Sequence, residues 1–373
     1  MSYDVSVISC PNYEKSNVDC ALFQALSAIG GLDWIKSGMR ILIKTNLVAP
    51  KRPDTHATTH PQMLLSLAAL LLKRGATVIV GDSPGGLFNL PALTTAYSIC
   101  GLNALKDLGV ILNTNFETGE ADIENAVQAK HISYTKYIDD CDAVISFAKL
   151  KTHGLTGMTG AVKNLFGIIP GTIKAEYHYR YPDITAFSNM LVDIETFVKP
   201  TLSIIDGVWG MEGNGPTSGT PKFAGVIIAS KSAHTADVVA SKVMGIDPLS
   251  IHTVQCAVKR GLLPSDLSEI TVSGEIIPKN FKYTKSTAPS SFMDKIPFGG
   301  LIAKILQNKP ALVPDLCVKC GKCKEACPVN AIKLSPLPKI NRQKCIKCFC
   351  CQEFCPTAAM KVHRSAIARI LNK

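Results

Sequence analysis

Eight cysteines near the carboxyl end fall into two copies of one pattern. Cys317, Cys320, Cys323 and Cys327 precede Pro328, and Cys345, Cys348, Cys351 and Cys355 precede Pro356. Each copy reads C-x2-C-x2-C-x3-C-P, a spacing that holds [4Fe–4S] clusters in pairs. Three thiolates separated by two residues can wrap one corner of an iron–sulfur cube. The fourth, set apart and followed by proline, points away and completes the other cube. The spacing therefore assigns Cys317, Cys320, Cys323 and Cys355 to one cluster, and Cys345, Cys348, Cys351 and Cys327 to the second. A disulfide framework would suit a small secreted domain, and zinc sites use two C-x2-C pairs instead of a run of three. Cys350 could replace its neighbour Cys351 as ligand, but the repeat matches with Cys351 and leaves Cys350 as a spare, shielded thiol.

A second group of reactive side chains follows short apolar runs in residues 1–275. Arg40–Lys44 leads into Thr45 and Asn46, and Thr77–Val80 into Gly81, Asp82 and Ser83. Ala143–Phe147 leads into Lys149, Lys151 and His153, and Leu202–Ile205 into Asp206. If these runs are strands of one sheet, their ends converge on a crevice. Lys44, His153 and Lys163 are the candidate catalytic groups, with His153 moving protons. Asn46, Asp82, Lys151, Asn164 and Asp206 are the candidate contacts for a small anionic or carbonyl-bearing substrate. Taken singly, Asp82 and Asp206 also suit turn or helix caps. Lys149–Gly171 is rich in glycine around Lys163, which lets a backbone cradle an anion or a flat cofactor. It lacks the order of a P-loop, and no Gly-x-Gly-x-x-Gly fingerprint for nicotinamide binding exists.

The elements that must position these residues alternate. Strands are expected at Val5–Ile8, Arg40–Lys44, Thr77–Val80, Val110–Asn113, Ala143–Phe147, Leu202–Ile205 and Ala224–Ala229. Helices are expected at Pro61–Arg74, Ile184–Val198 and Ala233–Val243. The alternation predicts an α/β domain with a mainly parallel sheet over residues 1–275. Residues 276–314 hold five prolines and read as a linker, with a short helix at Phe298–Leu306. Residues 315–373 form a small α+β two-cluster module with a C-terminal helix, where Ile367, Ile370 and Leu371 make an apolar stripe.

Charge is uneven. Residues 317–373 carry 12 Lys or Arg against 2 Asp or Glu, so nearly all of the formal +11 sits on the cluster module. A basic face suits docking to an acidic redox donor such as a flavodoxin or ferredoxin. It equally suits simple compensation of the clusters' negative charge. No aromatic-rich basic groove points to nucleic acid. The apolar run Met63–Leu72 falls short of the about 20 residues that span a bilayer. The amino end lacks a secretory signal pattern, and oxygen-sensitive clusters with scattered lone cysteines fit a reducing cytoplasm.

Three resemblances add to this reading. Residues 315–360 resemble the two-cluster bacterial ferredoxins. Lys44-Thr45-Asn46, Thr59-His60-Pro61, Gly81-Asp82-Ser83, Lys149-x-Lys151-Thr152-His153 and Gly160-Ala161-Val162-Lys163-Asn164 together resemble the domain of unknown function 362 family, whose members often carry ferredoxin modules. The loop from His153 to Lys163, with glycines at 154, 157 and 160, is more distantly similar to that of nickel-pincer lactate racemases. That likeness implies a lysine-linked nickel cofactor on Lys163, with His178 placed to help hold the metal. No second catalytic histidine pair accompanies it and those racemases lack a ferredoxin tail, so nickel is disfavoured. The leading expectation is an iron–sulfur oxidoreductase passing electrons from the clusters into the α/β pocket. The alternatives are an electron carrier or docking scaffold without catalysis, and an isomerase of the racemase type.

Overall fold

The computed structural model describes residues 3–171, 173–283 and 308–363. One mixed sheet organises the first 275 residues. Its strands are β1 (Val5–Ser9), β2 (Arg40–Lys44), β3 (Thr77–Gly81), β4 (Ile111–Leu112), β7 (Ala143–His153), β8 (Gly157–Thr159), β9 (Leu202–Glu212), β10 (Thr220–Ser230) and β11 (Val272–Ser273). A separate hairpin pairs β5 (Thr118–Asp122) with β6 (His131–Thr135). The order across the sheet is β11-β1-β10-β9-β7-β2-β3-β4, with β8 folded back on the end of β7. The strands from β4 to β9 run parallel, while β10 is antiparallel to both β9 and β1. Helices cover both faces and make two cores. Pro61–Lys73 closes one core over Ile41, Ile43, Val78 and Val80; Ile184–Val198 and Ala233–Met244 close the other over Leu150, Ile205 and Ile228. This doubly covered sheet explains why the parallel strands read as continuous apolar runs.

Chain order reverses at β2. From there the chain steps outward to β3 and β4, then returns to β7 on the other side. The carboxyl ends of β2 and β7 thus form a topological switch point, the place where open α/β sheets bind ligands.

Two strands run further than their apolar cores suggested. The strand expected at Ala143–Phe147 continues through Lys149 and Lys151 to His153 and is buried throughout. The one expected at Leu202–Ile205 continues through Asp206 to Glu212. The reason is pairing: Lys149 and Asp206 are register partners across β7 and β9. Their side chains make a fully buried 2.8 Å ion pair, so each neutralises the charge that would otherwise end the other's strand.

The cluster module begins earlier than the expected linker allowed. β12 (Lys309–Leu312) pairs with β15 (Met360–His363), and β13 (Ile332–Ser335) with β14 (Leu337–Ile340). The last described residues, Met360–His363, are therefore a strand. The apolar stripe of the expected C-terminal helix and the expected helix at Phe298–Leu306 lie outside the described residues. The two halves of the module repeat closely. Helical turns at Lys322–Glu325 and Cys350–Glu353 follow left-handed residues Lys319 and Gly321, then Lys347 and Phe349.

Candidate functional site

The cysteines gather in two small cavities in the module. One is lined by Cys317, Cys320, Cys323 and Cys355, with Leu312, Ala359 and Met360 around them. The other is lined by Cys327, Cys345, Cys348 and Cys351, with Ile332, Ile340 and Phe349. Each group joins three cysteines of one motif to the fourth of the other. Backbone N–H groups of Ala331 and Ala359 donate to the sulfurs of Cys327 and Cys355, both at 3.2 Å. Four cysteines lining each cavity, an apolar wall and an amide donor to one sulfur in each group fit the requirements of a cubic iron–sulfur cluster. Cys350 lies outside both groups, buried, with its thiol turned to Cys348 and toward the α/β domain.

The second half of the module seats on the carboxyl end of the sheet. Gln352 donates to the carbonyls of Asn214 and Gly215, at 2.8 and 3.0 Å. Thr217 donates to the Glu353 carbonyl at 3.0 Å, and the Val362 amide to the Asn214 side chain at 3.1 Å. Phe349 stands in left-handed backbone (φ 65°) where the first half has Gly321. A phenylalanine there is strained, and its buried ring fills the space beside Gly154.

Between the sheet and this module lies a cavity of about 510 Å³. The α/β domain supplies Asn46, Asp82, Ser83, Lys151, Thr159, Lys163, Asn164, Phe166, Lys174 and His178, and the module supplies Lys322, Cys350, Glu353, Phe354 and Cys355. Cys355 thus lines both this cavity and the first cysteine-lined one.

Five of the eight expected α/β site residues line it: Asn46, Asp82, Lys151, Lys163 and Asn164. They interlock. Asn46 Nδ2 donates to Asn164 Oδ1 at 3.1 Å, Lys151 Nζ donates to Asn46 Oδ1 at 2.8 Å, and Asn164 Nδ2 donates to the Lys44 carbonyl at 2.9 Å. Lys151 has no carboxylate partner among the described residues, and burial beside Lys163 and Lys149 pushes its amine down to about 7. Lys163 makes no hydrogen bond or ion pair among the described residues; its amine stands 5.6 Å from the centre of the Phe166 ring. Burial lowers its pKa as well. The helical turn carrying Lys163 and Asn164 is capped by Asp237, which accepts from Ala161 N at 2.5 Å and Val162 N at 3.2 Å.

Lys44, His153 and Asp206 do not line the cavity. Lys44 is fully buried behind Asp82, paired at 2.8 Å and bonded to the carbonyls of Thr45 and Asn164. Asp206, inside β9, is saturated by Tyr13, Lys149 and the His60 amide. His153 Nδ1 accepts from the amides of Leu155 and Thr156, at 3.1 and 3.2 Å, so Nε2 carries the proton and donates to Glu353 Oε1 at 2.9 Å. Burial drops this imidazole to about 4 and leaves it neutral. With both nitrogens engaged, His153 positions Glu353 and is not itself placed to exchange protons with a ligand.

Sequence reasoning overlooked four contributors. Lys174 lines the cavity and donates to the carbonyls of Ser83 and Ile169; burial takes it to about 7. His178, singled out only for nickel, stacks on Phe187 with ring centres 4.4 Å apart, and its buried Nδ1 has no partner among the described residues. Thr159 Oγ1 is buried and unpartnered in the same way. Glu353 comes from the second cysteine motif, where its one signal was being an acidic residue in a strongly basic segment.

An α/β sheet domain whose crevice is closed by a [4Fe–4S]-binding module defines an iron–sulfur protein, and residues 310–333 match the 4Fe-4S binding domain. Residues 41–242 match the domain of unknown function DUF362, and the chain belongs to that family. It is 32% identical over 299 residues to the thylakoid-associated protein sll1697 of Synechocystis, covering 78% of this chain and 91% of that protein. Among solved structures it is similar to the lactate racemase apoprotein of Thermoanaerobacterium thermosaccharolyticum, with TM-score 0.38, 13% identity, and 55% of this chain and 50% of that one covered. A protein of Thermotoga maritima gives TM-score 0.36, 14% identity and coverage of 55% and 52%. The chain spans about half the length of either structure. No helix among the described residues is long and apolar enough to cross a membrane.

Proposed function

We propose that this protein is an oxidoreductase that holds two [4Fe–4S] clusters and delivers electrons to a small anionic molecule in the cavity between sheet and module. The observation that carries the reading is Cys355, which lines both the first cysteine group's cavity and the larger one. When bound, the clusters supply electrons one at a time. Cys317, Cys320, Cys323 and Cys355 would hold one, and Cys327, Cys345, Cys348 and Cys351 the other. Lys163, in the cavity wall and without an ion pair among the described residues, binds the anion. Lys151, with its amine near neutrality, is suited to give and regain a proton as charge develops on the ligand. Glu353, held by His153, closes the side facing the module, and its carboxylate lies well below the usual range at about 2, burial opposing and His153 and Lys163 favouring the charged form. The electron source is an acidic one-electron carrier that docks on the module's basic face.

The test is anaerobic. Reconstituted protein should contain about eight iron and eight sulfide per chain. After dithionite reduction and removal of excess reductant, a panel of anionic carbonyl compounds should include one that restores the oxidised absorbance, in a manner lost in Lys163→Met. A single cluster per chain, or reoxidation indifferent to every compound and to Lys163, would refute the reading.

A further inference from the structure

The cavity lining is graded from base to mouth. At the base, Lys151, Thr159, Asn164 and His178 are each at most 4% exposed. At the mouth, Ile99 is 40% exposed, and Val48, Ala49, Phe354 and Pro356 are half-buried or exposed beside it. The buried lining is thus mostly polar, while the mouth combines these apolar side chains with Thr95, Lys51 and Lys322.

We propose that the cavity takes an amphipathic anion, with its charged head at the base against Lys163, Thr159 and His178 and its apolar body against Val48, Ile99 and Phe354. This deepens the reading of the cavity as the reaction site and rests on it. Three features carry it. The first is charge: five lysines, Lys51, Lys151, Lys163, Lys174 and Lys322, line the cavity with only two carboxylates, and both are engaged, Asp82 by Lys44 and Glu353 by His153. An amine buried without a counter-charge is costly, so the surplus selects an anion. The second is unsatisfied hydrogen bonding. Buried polar atoms are rarely left without partners, yet the Thr159 hydroxyl and the His178 Nδ1 atom lack one among the described residues, and the half-buried Lys163 has no hydrogen bond or ion pair there. An anionic head group meets the Lys163 amine directly, with the Thr159 and His178 side chains beside it in the lining. The third is the mouth. A fully hydrated ion gains nothing from Val48, Ile99 and Phe354, whereas a hydrocarbon body does. The volume of about 510 Å³ is that of a pocket for a small organic molecule and exceeds what one inorganic ion needs.

The experiment measures binding to the oxidised holoprotein by anaerobic calorimetry, using butyrate, hexanoate and octanoate, with hexylamine and inorganic phosphate as counter-probes. Each added methylene should raise carboxylate affinity by about two- to fourfold. Hexylamine should not bind. Lys163→Met should weaken octanoate at least about tenfold, and Ile99→Asp should flatten the chain-length trend while sparing butyrate. An unchanged thermal unfolding profile by circular dichroism, together with unchanged cluster absorbance, certifies that both variants are folded. Phosphate binding as tightly as octanoate, binding of hexylamine, or affinity independent of chain length would overturn the proposal. Because no electron moves in this assay, the two readings fail separately. Chain-length-dependent binding without electron delivery refutes only the redox role. Electron delivery to a ligand lacking an anionic head or an apolar body refutes only the amphipathic anion.

Discussion

Lys151 and Lys174 give the cavity a pH response whose sign follows from their burial. Lys151 faces Lys163 and Lys149 on one side and Glu353 and Asp82 on the other; Lys174 faces Asp82, Lys44, Lys163 and Glu353. Both amines lie at about 7 in the folded chain against 10.5 when free. They are charged below pH 7 and lose their protons above it, so anion affinity should fall several-fold between about pH 6 and pH 8.5. Unfolded chain keeps these protons up to the free value and binds more of them than the native state between the two. The same residues therefore make the ligand-free protein more stable as pH rises through that window. Calorimetric titrations of octanoate across this range should show weakening binding with proton uptake; pH-independent binding would assign the anion contact to other groups. At this scale the grouping of the cysteines was readable, because their spacing is local and the two cavities gather them in the expected fours. The pocket was readable in part. Asn46, Asp82, Lys151, Lys163 and Asn164 line it, but Lys44 and Asp206 carry the same residue types and spend them on buried pairing. Only the cross-strand partner distinguishes the two uses, and that partner lies far along the chain.

At the scale of elements, the cavity depends on two connecting segments that touch, residues 82–86 after β3 and the short helical turns and loop of residues 160–171 after β8. Ser83 N donates to the Gly167 carbonyl at 3.0 Å, and Gly171 N donates to Ser83 Oγ at 2.7 Å. A Cβ at Gly171 would collide with the Pro84 backbone carbonyl, which cannot rotate aside as a side chain would. Gly171→Ala should displace the Ser83 segment and weaken anion binding about tenfold or more, with little change in cluster absorbance. Equal loss of clusters would mean that the damage is global, and unaltered binding would free the loop from any part in the cavity. The strand–helix alternation was legible because apolar runs announce it. The polar extensions of β7 and β9 were not, since a lysine and an aspartate that cancel each other across a sheet look, in one dimension, like two loop residues. The order β4-β3-β2-β7-β9 also escaped sequence reading, and with it the switch point that explains why Asn46 and Lys151 meet.

For the whole molecule, the module presents Lys319, Lys322, Lys324 and Lys344 as exposed cations around its cysteine motifs. Val318, 62% exposed, and Leu316, 39% exposed, lie next to Cys317 and Cys320. An acidic donor steered by this face should reduce the protein at a rate that drops steeply between about 20 and 200 mM salt. Stopped-flow reduction by a flavodoxin-type donor would measure it, and a rate insensitive to salt would leave the lysines as compensation for cluster charge. The module's own core is slight: its buried members are Cys323, Ile332, Cys351, Cys355, Ala359 and Met360, half of them cysteines of the two groups. So small a core leans on its metal for folding. The cavity borrows one wall from that module. On the proposed function, oxygen that dismantles an iron–sulfur cube would take the cavity down with it, and ligand binding would end together with electron supply. Cofactor and binding site are wired in series, like a fuse and the circuit it guards.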